Sequence, residues 1–142
     1  MVTSVNVSTK LSTTKFLWTS NGLIISYVDH KGSKGTMEVN QYLDLIESIR
    51  SGLIFGMQDT QLACAYAIAL AAKSLTDSDN KYYSNLLKIC LDIETINKNY
   101  LSAIVKRMLA AGDDADGPAN GKDIVVKNMA LEANRIQNEN IV

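Results

Sequence analysis

Histidine occurs once in this sequence, as His30, proline once, as Pro118, and cysteine twice, as Cys64 and Cys90. Two dispersed cysteines cannot form a disulfide framework, and with a single histidine they cannot form a CxxC-type zinc centre. Both lie in apolar, helix-like segments and are expected to be buried thiols, and no cofactor or metal is expected. An excess of either charge is also missing. Lys plus Arg number 14 against 15 for Asp plus Glu, a net charge of −1. A dedicated duplex-DNA binder needs cations for the phosphates it neutralises, so this balance argues against that class. The longest apolar run, Leu62 to Ala72, is about half of the ~20 residues that cross a bilayer. Met1 to Lys10 lacks the basic start and apolar core of a secretory signal. The expected location is the reducing cytoplasm or a virion, with no membrane partner.

Catalytic constellations are equally scarce. Any Ser–His–Asp or Cys–His centre would have to use His30, which stands beside Lys31 and Gly32 in what reads as a turn. Gly32-Ser33-Lys34-Gly35 lacks the spacing of a phosphate loop and opens a strand, so it reads as a hairpin turn. Asp113, Asp114 and Asp116 suggest a calcium loop, but Pro118 or Ala119 falls where oxygen ligands or glycine are required. Asp92 and Glu94 stand two apart on a helix and point to different faces. Lys106 and Arg107 sit where cations complement a helix C-terminus. No enzymatic activity is expected.

The chain is long enough for one domain. Residues 1–13, rich in Ser and Thr, read as an N-terminal arm. Residues 14–56 read as a three-stranded antiparallel meander plus a helix. Phe16 and Trp18 share one face of the first strand, and Asn21-Gly22 is a strong hairpin signal. Leu23, Ile25 and Tyr27 share a face of the second strand; Met37 and Val39 lie together on the third. Asn40 is the expected N-cap of a helix carrying Tyr42, Leu45, Ile46 and Ile49 as an apolar stripe. Residues 57–112 read as a helical hairpin. Its first helix, about 59–75, is packed with alanine, which favours helix and permits close approach of neighbours. The second reads as one rod from Lys81 to Ala111 with near-heptad spacing, roughly 45 Å long. Gly112 is expected to end it as a C′ residue. Residues 113–142 read as an acidic linker and a weakly helical tail outside a compact domain of 14–112. The fold class expected is α+β.

A rod apolar on two sides needs more cover than this short chain obviously supplies. That places a protein interface on Tyr83, Leu87, Leu91, Leu101, Val105 and Leu109 of the rod and on Ile124, Met129, Leu131 and Ile136 of the tail. The role expected is a non-enzymatic subunit of a larger assembly, of the virion or phage kind, whose copies associate with themselves or other subunits through the rod and both termini. On this view, removal of 113–142 leaves a folded monomer. The alternative is a single-strand nucleic-acid binder gripping through Lys15, Trp18, Tyr27, Lys31 and Lys34, by charge and stacking. Lys34-Gly35-Thr36-Met37-Glu38-Val39, followed by a helix with Tyr42, Leu45 and Ile46, resembles Whirly-type single-strand-binding folds. A small inhibitor of a larger machine shares the same features.

Overall fold

The computed structural model describes residues 12–76, 79–113 and 122–139. In chain order these form β1 (Ser12–Thr19), β2 (Gly22–Val28), β3 (Lys34–Val39), α1 (Tyr42–Arg50), α2 (Met57–Ser74), α3 (Asp79–Glu94), α4 (Lys98–Asp113) and α5 (Lys122–Glu139). The α+β class with a three-stranded antiparallel meander followed by helices is as expected, with strand order β1-β2-β3. The proposed arm falls largely on residues 1–11, and the acidic linker on 114–121, both outside the described residues.

Local chemistry explains the meander. Thr19 pairs with Gly22 across a Ser20-Asn21 loop, one residue earlier than the Asn21-Gly22 reading. The Thr19 hydroxyl donates to the Gly22 carbonyl and accepts from the N–H groups of Asn21 and Gly22, closing the turn. Gly22 is required by close approach. A Cβ there would lie 2.8 Å from the Val39 carbonyl oxygen and would also strike the Asn40 amide. Asn40 is therefore engaged at the hairpin, and Gln41 takes the N-cap position of α1. The β2–β3 turn is built by Asp29, whose carboxylate accepts from the N–H of Lys31 and of Ser33 at 2.9 Å each. The Ser33 bond above all holds this carboxyl below its usual range. Phe16, Leu23 and Ile25 point inward and are buried with Leu45, Ile46 and Ile49 of α1. Each such side chain contributes about 1.5–3 kcal/mol on burial.

Helix α2 is the axis of the molecule. Thr60 and every residue from Leu62 to Ala72 are buried, and α1, α3, α4, α5 and β1 all pack on it. Alanines at 63, 65, 67, 69, 71 and 72 make this possible, because five neighbours cannot crowd a helix of bulky side chains. Its last carbonyls are capped from outside: Tyr82 Oη donates to Ala72 O at 2.8 Å, and Lys122 Nζ donates to Lys73 O and Leu75 O at 3.0 and 2.7 Å. A cation at this end also complements the helix dipole.

The single rod expected over 81–111 is two helices of 16 residues, each about 24 Å long. Thr95 and Ile96 form the turn between them, and Asn97 starts the second. The Asn97 carbonyl accepts from Tyr100 and Leu101, and its side chain accepts from Tyr100. An asparagine N-cap outweighs an apolar spacing that runs through it. Gly112 does not terminate α4; it lies buried within it, where a Cβ would come 2.8 Å from Met129 Cε. The last segment is no tail. Val125, Met129, Ala133 and Ile136 of α5 belong to the same core as Phe16 and Leu70, so the core is not confined to 14–112.

Strand β1 is joined to α5 through the α2 residue Tyr66. Phe16 and Trp18 stack on the Tyr66 ring at centroid distances of 5.4 and 6.5 Å. Tyr66 Oη donates to Asn134 Oδ1 at 2.6 Å and accepts from Gln137 Nε2 at 3.1 Å. The Gln137 amide also takes both backbone groups of Phe16, at 2.8 and 2.9 Å, as a neighbouring strand would. Tyr66→Phe should cost about 1–2 kcal/mol by stranding these partners, and Tyr66→Ala at least ~3 kcal/mol. Both are measurable as a lowered urea midpoint at unchanged slope. Truncation after Asp113 should abolish cooperative unfolding rather than leave a folded monomer, checked by circular dichroism and thermal melting.

Candidate functional site

Among the described residues, several hollows open on the surface. The first, about 320 Å³, is a groove between α4 and α5. Ala110, Ala111 and Leu131 form its apolar lining, with Arg107, Glu132 and Arg135 at its rim. The second, about 220 Å³, lies between α1 and α3, with Tyr42, Leu43, Ile46 and Ile89 inside and Arg50 and Asp92 beside them. The third, about 510 Å³, sits at one end of the sheet beside Tyr27, Val28, Lys34 and Gly35.

The α4–α5 groove carries the densest charge. Arg107 donates to Glu132 and, through both terminal nitrogens, to Glu139 at 2.8 and 2.9 Å. Arg135, one turn on, donates to the second Glu132 oxygen at 2.8 Å. Burial pushes the Glu132 carboxyl up, but the bonds from Arg107 and Arg135 outweigh it and hold it below its usual range. Glu139 is held down by Arg107, and Arg107 is pushed further up, chiefly by its bonds to Glu139. Glu132, Glu139 and Arg107 are thus charged at neutral pH. The site can orient a polar ligand, but none of these three is poised to exchange a proton there.

The nucleophiles are no better placed. Burial pushes the Cys64 thiol far up and the Cys90 thiol to about 12, so neither is a thiolate at neutral pH. Burial likewise raises the Tyr66 and Tyr82 hydroxyls to about 12. His30 stands exposed in the β2–β3 turn. Among the described residues no three His, Cys, Asp or Glu side chains gather as a metal site.

The expected interface residues divide sharply. Leu101, Val105, Met129 and Ile136 are buried in the chain's own core, and Tyr83 and Leu109 are partly buried against it. Leu87 and Leu91, 45% and 48% exposed, lie one turn apart on α3. Ile124 is exposed on the first turn of α5, and Leu131 lines the α4–α5 groove. Sequence reading passed over Leu43 at 63%, Met57 at 52% and Phe55 at 43%, which are exposed around α1 and the start of α2. Their only signal was Gly52 and Gly56, both at positive φ, marking a surface loop. The Arg107–Glu132 pair was also missed, because its partners stand on different helices; only the three-residue spacing of Glu132 and Arg135 was visible.

The basic and aromatic residues of the meander do not form one track. Lys15 and Lys34 lie on the exposed face of the sheet, and Lys31 is in the turn. Trp18 faces inward against Tyr66, with Lys73 Nζ 5.9 Å from its ring centroid. Tyr27 lies across Gly35, where a Cβ would come 2.6 Å from its hydroxyl.

The fold is shared with known proteins. Translation initiation factor eIF-2B, subunit delta, from A. fulgidus matches 87% of this chain at a TM-score of 0.71 and 21% identity. 5-Methylthioribose 1-phosphate isomerase from Pyrococcus horikoshii OT3 matches 95% of it at a TM-score of 0.70 and 12% identity. This chain spans 36% of the first and 38% of the second. Neither a protein-family model nor a curated protein matches the sequence.

These neighbours overturn the expectation of a virion or phage assembly subunit, together with its alternatives of a single-strand binder and an inhibitor. A factor subunit and an isomerase share the architecture from which those roles were inferred. The expectation that the chain is no enzyme falls for the same reason, since one neighbour is an enzyme. No helix among the described residues is long and apolar enough to cross a membrane.

The charged groove has a pH signature. The Glu132 carboxyl lies below its unperturbed value of 4.5, so its contribution is complete above that value and is lost as pH falls through the lower, folded one. Glu132→Gln should lower stability by about 1 kcal/mol at pH 7 and flatten the acid limb below pH ~4.5. Urea titrations between pH ~3 and ~7 would show both.

Proposed function

We propose that this chain works as one part of a protein of the sugar-phosphate isomerase kind, supplying a wall of a ligand site that a further polypeptide part completes. That further part either continues the same polypeptide or belongs to another. The supporting observation is the mismatch in extent: 95% of this chain matches the isomerase, yet only 38% of the isomerase is matched. The chemistry agrees. The described residues bring together charge pairs and apolar grooves, but no base, nucleophile and orienting group in one place. The ligand class, a phosphorylated sugar, is taken from the substrate in the isomerase's own name. A second reading, a binding role in a protein of the initiation-factor kind, is favoured by the higher identity of 21%. Fold by itself does not choose between converting a ligand and binding a partner.

Complementation tests the proposal. The Pyrococcus horikoshii isomerase is prepared without the segment that this fold matches, and isomerisation of 5-methylthioribose 1-phosphate is followed with each part separately and with both mixed. Activity in the mixture, and in neither part by itself, is expected. Turnover by this chain unaided would mean that its site is complete. A mixture as inactive as its components would favour the initiation-factor reading.

A further inference from the structure

The two edges of the sheet are not equivalent. At the β1 edge, the Gln137 amide occupies both backbone groups of Phe16, and the register shifts between Thr13 and Lys15. The outer edge of β3 has no such cover: no backbone group of Lys34 to Val39 bonds outside the β2 pairing among the described residues. Open edges of this kind are templates for another strand.

The register shows which groups face out. The Asp29 N–H donates to the Ser33 carbonyl at 2.9 Å across the mouth of the hairpin. Stepping by two along the ladder, the hydrogen-bonded pairs are Tyr27 with Gly35, Ile25 with Met37 and Leu23 with Val39. The backbone N–H and C=O of Lys34, Thr36 and Glu38 therefore point away from β2. The side chains of these three residues share the exposed face, and neither Lys34 nor Glu38 is in an ion pair among the described residues.

We propose that β3 pairs with β3 of a second copy, antiparallel about a two-fold axis at Thr36, making one continuous sheet across both. This register sets Thr36 against the partner's Thr36 and Lys34 against the partner's Glu38, with the reverse pair generated by symmetry. It alone places all three outward-facing residues opposite outward-facing residues. A shift by one opposes outward to inward groups, and a shift by two leaves one residue without a mate. The same register joins opposite charges twice. On the inner face it sets Gly35 against the partner's Met37 in the closely spaced, non-hydrogen-bonded type of pair. This inference does not depend on the proposed function.

The test uses the full chain. Sedimentation equilibrium should show a monomer–dimer equilibrium. Either Glu38→Lys or Lys34→Glu should weaken it roughly 10- to 30-fold by setting like charges opposite each other, and the double exchange should restore it to within about threefold. Hydrogen exchange on the unmodified protein supplies a readout independent of any variant. Protection of the Thr36 amide should rise with protein concentration, while that of Met37, already bonded to β2, should not. A monomer up to ~1 mM, a dimer indifferent to both charge reversals, or Thr36 protection independent of concentration would each overturn the proposal. The last result would place a segment of the same chain on this edge.

Discussion

The described elements are arranged around a helix whose middle touches almost no water. Helix α2 is buried along Leu62–Ala72, and each surrounding element must satisfy its own polar groups against that wall. The consequence is clearest at Tyr66. Its ring carries Phe16 and Trp18 of the sheet, and its hydroxyl carries Asn134 and Gln137 of the last helix. A buried tyrosine hydroxyl without partners costs about 1–3 kcal/mol, so sheet, central helix and terminal helix are specified together. Gln137 extends the arrangement by standing in for a missing strand at Phe16.

The exposed chemistry is of a different kind. Arg107, Glu132, Arg135 and Glu139 hold α4 to α5 by charge, at a boundary where packing is looser and a groove remains. Partly exposed pairs of this type are screened and individually weak. They tune how the last helix sits rather than decide whether it binds; Val125, Met129, Ala133 and Ile136 decide that.

The same architecture occurs within an initiation factor subunit and within an isomerase, and in both it is about a third of the whole. Apolar side chains such as Leu43, Met57 and Leu87 stay in water while Leu101 and Met129 do not. The expectation of a bare, self-associating rod arose from counting apolar residues without knowing where the chain turns.

Strand alternation, the hairpin turn, the alanine-rich central helix and the amphipathic stripe of α1 were determined by the sequence itself. Each follows from neighbours a few residues apart: side chains that alternate in a pleat, a carboxylate that binds its own turn, small residues that admit close neighbours. The break at Thr95–Asn97 was also local, but an uninterrupted apolar spacing concealed it. Only the tertiary structure decided that residues 122–139 are core, that Gly112 is a notch for Met129, and that Arg107 belongs with Glu132 and Glu139. Those facts depend on groups from 17 to more than 100 residues apart in the chain, brought together once α2 had been enclosed, and short-range periodicity carries no information about such meetings.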